Sequence, residues 1–193
     1  MIWLRLHRLN TTRSRLNWLS RIALLALWPL VAIASCAAID QPAPPHPLEA
    51  LTVTGDDGVV HPLKVEVMHT QKELWTGLRW RKSMPQDQGM LFDLGEVRQA
   101  YFTMSDTLIP LDMLFIAADG KVVNIAAMTV PGNPGPYPSD GAVRAVLELN
   151  AGTALRLHLA PGDVVRNKLF GNLPAAASQP PMAATQAAAP MAP

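Results

Sequence analysis

Cysteine, tyrosine and uniformly placed acidic residues are what this sequence has least of: one Cys, two Tyr, and no Asp or Glu before Asp40. A single cysteine, Cys36, excludes an intramolecular disulfide and a cysteine-based zinc cluster. His46, His61, His69 and His158 have neither the i, i+2 nor the i, i+4 spacing of paired ligands, so no metal site is expected and no cofactor is implied. Ser83, Ser105 and Ser139 lack a strand–turn–helix nucleophile elbow, which leaves no support for a hydrolase triad. Basic charge is also sparse once the chain is divided. Arg5, Arg8, Arg13, Arg15 and Arg21 precede Cys36, so the remainder keeps 11 of the 16 basic groups against all 15 acidic ones, a net charge of −4. That argues against a nucleic-acid binder, which needs a basic patch to displace counterions from phosphates.

The cysteine has a positional explanation. An Arg-rich segment is followed by the apolar run Ile22–Ala34, of signal-peptide rather than membrane-spanning length, and then by small residues ending in Ser35-Cys36. Ile33-Ala34-Ser35-Cys36 resembles a bacterial lipobox, which implies removal of residues 1–35 and acylation of Cys36. Ordinary cleavage near Ala37 or Ala38 and an uncleaved anchor are the alternatives. Acyl chains at about 0.8 kcal/mol per buried methylene would hold the protein on a membrane. Ala37, rather than Asp, after the cysteine favours the outer membrane by resemblance to the bacterial sorting rule. The expected setting is the periplasm-facing cell envelope.

Residues 36–47 include Asp-Gln-Pro-Ala-Pro-Pro-His-Pro, a proline-rich tether that cannot form a helix interior or a sheet ladder. Residues 172–193 are dominated by Ala, Pro, Gln and Met and are expected to be disordered, with a proline-rich partner contact as the alternative. Between them, residues 48–171 read as one mainly β domain: a small antiparallel barrel or sandwich with one amphipathic helix packed on it. Strands are expected at Leu51–Thr54 and Val59–Met68, where Leu63, Val65 and Val67 alternate with Lys64 and Glu66 on a wet face. Thr70-Gln71-Lys72-Glu73 is a capping box that opens a helix over about 70–82. Gly77 on its apolar side suggests close approach to the sheet. Further strands are expected at Met90–Leu94, Ala100–Met104, Leu111–Ala117, Val122–Ala127, Ala142–Leu149 and Val164–Arg166, with an Asp119-Gly120 hairpin turn. A second short helix is placed near 151–158, capped by Asn150. Val130–Gly141, rich in Pro and Gly, reads as a long functional loop.

Met104–Ile116 is the least ordinary stretch, because it sets carboxylates where burial is expected. Asp106 and Asp112 are candidates for an acid–base pair or a cation site. The alternative is that Asp106-Thr107 closes a turn and Asp112 is a buried acceptor for backbone amides or for Arg81. Arg81 is a candidate anion contact, or a structural partner of Asp112 or Glu148. Trp75, Trp80, Tyr101 and Tyr137 offer an aromatic wall for a sugar ring or peptide, or simply boundary packing. Met84, Met90, Met104, Met113 and Met128 look like core fillers.

Several pieces occur in an order that resembles the bacterial and archaeal domain of unknown function 192. They are Gly77-Leu78 with Arg81, Gly89-Met90-Leu91-Phe92, Met104 with Thr107 to Asp112 and Phe115-Ile116, Pro136 to Ser139, and Val146 to Leu149. The resemblance implies a small mainly β fold with one helix and assigns no activity. Where members commonly carry an aromatic residue before the methionine and Lys-Asn or Arg-Asn after it, this chain has Thr103 and Ser105-Asp106, which argues against a shared anionic ligand at that point. Pro131–Gly135 lacks the cysteine some members carry there, so no thiol chemistry follows. The leading expectation is a non-catalytic, lipid-anchored envelope domain that binds a small molecule, glycan or partner protein through Arg81, Asp106, Thr107, Asp112 and Tyr137. The alternatives are an enzyme using Asp106 or Asp112 as acid or base, and a scaffold of envelope complexes.

Overall fold

The computed structural model describes residues 41–173. Cys36, the leader and the segment from residue 174 onward lie outside the described residues. Seven strands form one sheet: β1 (Leu48–Thr54), β2 (Val60–Met68), β3 (Gln88–Phe102), β4 (Leu111–Ile116), β5 (Val122–Ala126), β6 (Tyr137–Asn150) and β7 (Val164–Arg166). Their order is β5-β4-β6-β3-β2-β1-β7, and the sheet curls into a half-barrel. Its two ends approach one another, because Lys121 bridges Val164 and the Val122 N–H donates to the Asp163 carbonyl at 2.8 Å. Pairing is antiparallel except between β2 and β3, which run parallel, a departure from the all-antiparallel expectation. A parallel pair requires a crossover, and here it carries the helix α1 (Gln71–Thr76).

Burial on both faces follows from the strand alternation. Leu114 and Ile116 of β4 join one cluster with Leu51, Val65, Leu91 and Leu147, while Leu111, Met113 and Phe115 join a second with Met90, Phe92, Met104 and Val146. The second cluster lies beneath α1, whose Leu74 packs against it. The face of β2 expected to be wet is therefore covered at Glu66, which is buried.

The capping box forms, with Thr70 Oγ1 accepting from the Glu73 N–H and the Glu73 carboxylate accepting from the Thr70 N–H. The helix is shorter than the expected 70–82. It stops at Gly77, which takes φ 47 and leaves no room for a side chain, since a Cβ would lie 3.0 Å from the Phe92 ring. The two strands expected over 90–104 are one 15-residue strand, β3, with register shifts between Asp93 and Arg98 and between Gln99 and Tyr101. β6 follows it, entering the expected loop at Tyr137. There Ser139 Oγ accepts from the Ala100 N–H at 2.9 Å and donates to the Gly141 carbonyl at 2.6 Å, which satisfies polar groups at the irregular start of the strand. The short helix α2 (Thr153–Arg156) is present, but Gly152 is its N-cap; the Asn150 amide instead donates to the Met84 and Pro85 carbonyls at 3.0 and 3.1 Å.

Asp112 is wholly buried and is one of the pins of this arrangement. Its two carboxylate oxygens accept the N–H groups of Met128 and Ala154, each at 2.8 Å, tying β4 to the segment after β5 and to α2. Replacing it with Ala strands two donors, at about 1–3 kcal/mol each. Urea unfolding of Asp112→Ala is expected to show a loss of about 3 kcal/mol or more, and Asp112→Asn, which keeps one acceptor oxygen, a smaller loss. An unchanged midpoint in both variants contradicts this role.

Candidate functional site

The crossover that carries α1 does not seal the second face of the sheet completely. Between the helix, the far half of β3 and the loop 103–107 lies a cavity of about 330 Å³. Trp75, Thr76, Gly77 and Arg79 bound it on the helix side, Phe92, Arg98, Tyr101 and Phe102 on the strand side, and Thr103, Ser105 and Thr107 on the loop side. Trp75 and Tyr101 are 62% and 64% exposed, so two aromatic faces stand at the mouth unpaid for by burial. Within, Phe92 and Phe102 meet edge to face at 5.1 Å.

Glu148 also lines the cavity. Alternation along β6 sends Leu147 and Leu149 to one cluster and Val146 and Glu148 to the other face, so a carboxyl occupies a position the strand pattern reserves for an apolar side chain. Its in-register neighbours are Met90 on β3 and Met113 on β4, neither of which donates a hydrogen bond from its side chain. Glu148 is 5% exposed. Burial, with no hydrogen bond or charge from the described residues to offset it, pushes its carboxyl up to about 8, so it is neutral at pH 7.

The same row of the sheet holds the opposite case. Glu66 on β2 is the neighbour of Met90, placing the two glutamates about two strand spacings, roughly 10 Å, apart. Arg81 grips Glu66 through both guanidinium ends, and the His46 N–H adds a bond at 2.8 Å. Burial opposes ionisation there too, but these bonds and the Arg81 charge outweigh it and hold the Glu66 carboxyl below its ordinary value.

The remaining sequence candidates separate. Arg81 is committed to Glu66, not to Asp112 or Glu148. Asp112 has both oxygens on backbone amides. Asp106 is half-exposed with φ 59, accepts from Arg79 Nη1 at 3.2 Å, and accepts the Trp80 N–H on its carbonyl at 2.8 Å. It lines a second, shallower depression of about 530 Å³ with Leu108, Pro131 and Gly132, of which Asp112 is not part. Thr107 is buried and, with Ser105, is shared by the depression and the cavity. Tyr137 lies apart from the cavity wall; its hydroxyl accepts from the Val130 N–H at 3.2 Å and the Asn133 amide at 3.1 Å and so pins the 130–136 loop. Of the four aromatic candidates, Trp75 and Tyr101 line the cavity and Trp80 and Tyr137 do not. Met128 is 64% exposed rather than a core filler. Glu148, Arg79 and Arg98 were not among the sequence candidates for ligand contact. The signal for Glu148 was present: an acid in the inward phase of an otherwise apolar strand.

A neutral buried glutamate has a stability signature. Between the ordinary value of 4.5 and about 8, the unfolded chain has released a proton that the native state retains, so native stability falls as pH rises through that window, by up to about 1.4 kcal/mol per unit. Urea unfolding at pH 5, 6, 7 and 8 is expected to show Glu148→Gln gaining on the wild type as pH rises. Parallel curves for the two proteins contradict a neutral Glu148.

The sequence profile of domain of unknown function 192, described as "Uncharacterized ACR", matches residues 51–167. The fold is similar to that of a protein from Sinorhizobium meliloti described as a "putative transcription regulator", 38% identical, with a TM-score of 0.64 and coverage of 66% of this chain and 98% of that one. It is likewise similar to a protein of unknown function from Novosphingobium aromaticivorans, 37% identical, with a TM-score of 0.61 and coverage of 69% and 99%. No protein among those curated for function matches the chain. The match across most of residues 48–171, in a mainly β half-barrel with the helix laid over it, places this chain in the domain of unknown function 192 family.

Proposed function

We propose that this protein is a lipid-anchored domain of the cell envelope that binds a small molecule in the cavity above Glu148. The observation that carries the reading is the carboxyl itself. The carboxyl sits in an inward strand position among apolar side chains, takes no hydrogen bond from the described residues and opens on the cavity, where an occupant can reach it. Aromatic walls with a few convergent polar groups and a titratable residue of shifted pKa are the usual make-up of a ligand site. Thr107 is the one polar residue of the sequence-derived set that contributes to this wall. The acid–base alternative through Asp106 and Asp112 loses support, since one carboxylate is on Arg79 and the other on two amides.

The anchor and the envelope location rest on the Arg-rich segment, the apolar run Ile22–Ala34 and the lipobox-like Ile33–Cys36. No helix of the described residues is long and apolar enough to cross a membrane. An acylated Cys36 would attach the domain through the Asp40–Pro47 tether, with Ala37 directing it to the outer membrane.

Two outcomes test this reading. Native mass spectrometry of the mature protein isolated from its own envelope is expected to show a retained small-molecule adduct that is lost when Trp75 and Tyr101 are both changed to Ala; an adduct unaffected by those changes sinks the cavity as its site. Cys36→Ser is expected to move the protein from the membrane pellet to the soluble fraction, and unchanged partitioning removes the anchor.

A further inference from the structure

We infer that the cavity takes a small zwitterion, its primary amine on Glu148 and its anionic group on Arg79 and Arg98. The inference rests on the ligand-binding reading above and narrows it to a chemical class.

Three observations converge on that class. First, Glu148 faces open space and no donor among the described residues is bonded to it, so a donor for its carboxyl oxygens is left to an occupant. A hydroxyl would serve a neutral carboxyl, but an ammonium supplies both a donor and the charge that makes ionisation of a buried acid favourable. Second, Phe92, Tyr101 and Phe102 line the same space beside Trp75, whose ring already carries Arg79, and aromatic faces attract cations. Third, the two guanidinium groups of the cavity are only partly committed. Arg79 stacks on Trp75 at 4.1 Å and gives one bond to Asp106, while Arg98 lies 3.8 Å from its nearest carboxylate, Glu96, beyond hydrogen-bond reach. A guanidinium has five donors, so most of theirs remain for an anion.

A purely anionic ligand could accept from the protonated carboxyl but would keep it neutral and bring no charge to favour its ionisation. A purely cationic one would face two arginines. A neutral sugar would match neither sign. The other charged or titratable side chains lining the space with Glu148 are Arg79, Arg98 and Tyr101, and Glu66 in the adjoining row is already neutralised by Arg81. Amine and anion on one small scaffold occur in free amino acids and in the ethanolamine phosphate of a lipid headgroup, and a domain tethered to a bilayer would meet both.

The test is isothermal titration calorimetry of the full mature protein at pH 7, in two buffers of different ionisation enthalpy. The probes are 4-aminobutyrate and glycerophosphoethanolamine as zwitterions, acetate and inorganic phosphate as anions, ethylamine as the cation, and N-acetylglucosamine as the neutral sugar. At least one zwitterion is expected to saturate the protein with release of about one proton per site, as Glu148 changes from neutral to charged. Both Glu148→Gln and Arg98→Gln are expected to weaken it at least tenfold, the first abolishing the proton release. Circular dichroism checks that each variant is folded. Vesicles with and without phosphatidylethanolamine, used as competitors, separate the headgroup from the free amino acid. Binding of the sugar or of a simple anion in preference to both zwitterions overturns the inference and leaves the cavity reading standing. Failure of every probe, together with no adduct retained from the envelope, overturns both.

Discussion

A carboxyl taken out of water must either find a counter-charge or give up its own charge, and this domain has settled that constraint in both ways within one row of its sheet. Glu66, Met90, Glu148 and Met113 run side by side across β2, β3, β6 and β4. Arg81 reaches the first glutamate from beyond α1 and fastens the crossover to the sheet with two parallel bonds. Breaking such a buried pair from one side is costly, about 3–5 kcal/mol, because the abandoned charge stays buried. Among the described residues no side chain is bonded to the second glutamate, and the space above it is open.

The rest of the architecture follows from how that row is covered. Because β2 and β3 are parallel, the chain between them must cross the sheet, and the crossover supplies the roof. Gly77 lets the roof descend to the Phe92 ring, and Trp80 and Asp106, both with positive φ, join the roof to the loop before β4 through one backbone hydrogen bond. Non-glycine residues in that conformation store strain, which is more readily tolerated where geometry serves a site than where it merely connects strands. Asp112 and Tyr137 lie off the cavity wall and fix the segment after β5, α2 and the 130–136 loop.

Much of the fold was legible in the sequence because it is written in local signals. The alternation of Leu63, Val65 and Val67, the Thr70–Glu73 capping box and the Asp119-Gly120 turn each specify their own element, and each is where it was expected. What was illegible is non-local. Whether Glu66 is wet depends on where a crossover lands, and whether Gly95–Arg98 breaks a strand depends on a partner, β6, forty residues away in sequence. The site suffered the same way. Asp106 and Asp112 drew attention as acids next to prolines and apolar runs, yet local groups satisfy them both. Glu148 looked like an ordinary partner for Arg81, and only the register of β6 against β3 and β4 reveals that Arg81 is spent elsewhere. Cys36 remains a reading of sequence alone, while the domain-proximal end of the proline-rich tether is held to the sheet by the His46 N–H on Glu66.

The central claim is that the Glu148 carboxyl is kept for an occupant of the cavity rather than for the fold. A high-resolution crystal structure of the mature domain, isolated from its own envelope and never denatured, tests it most directly. The account predicts non-protein density between Trp75 and Tyr101 with a donor atom within hydrogen-bond distance of the Glu148 carboxyl. A Glu148 bonded to a protein group, beneath an α1 that has closed onto the sheet and left no cavity, would contradict it.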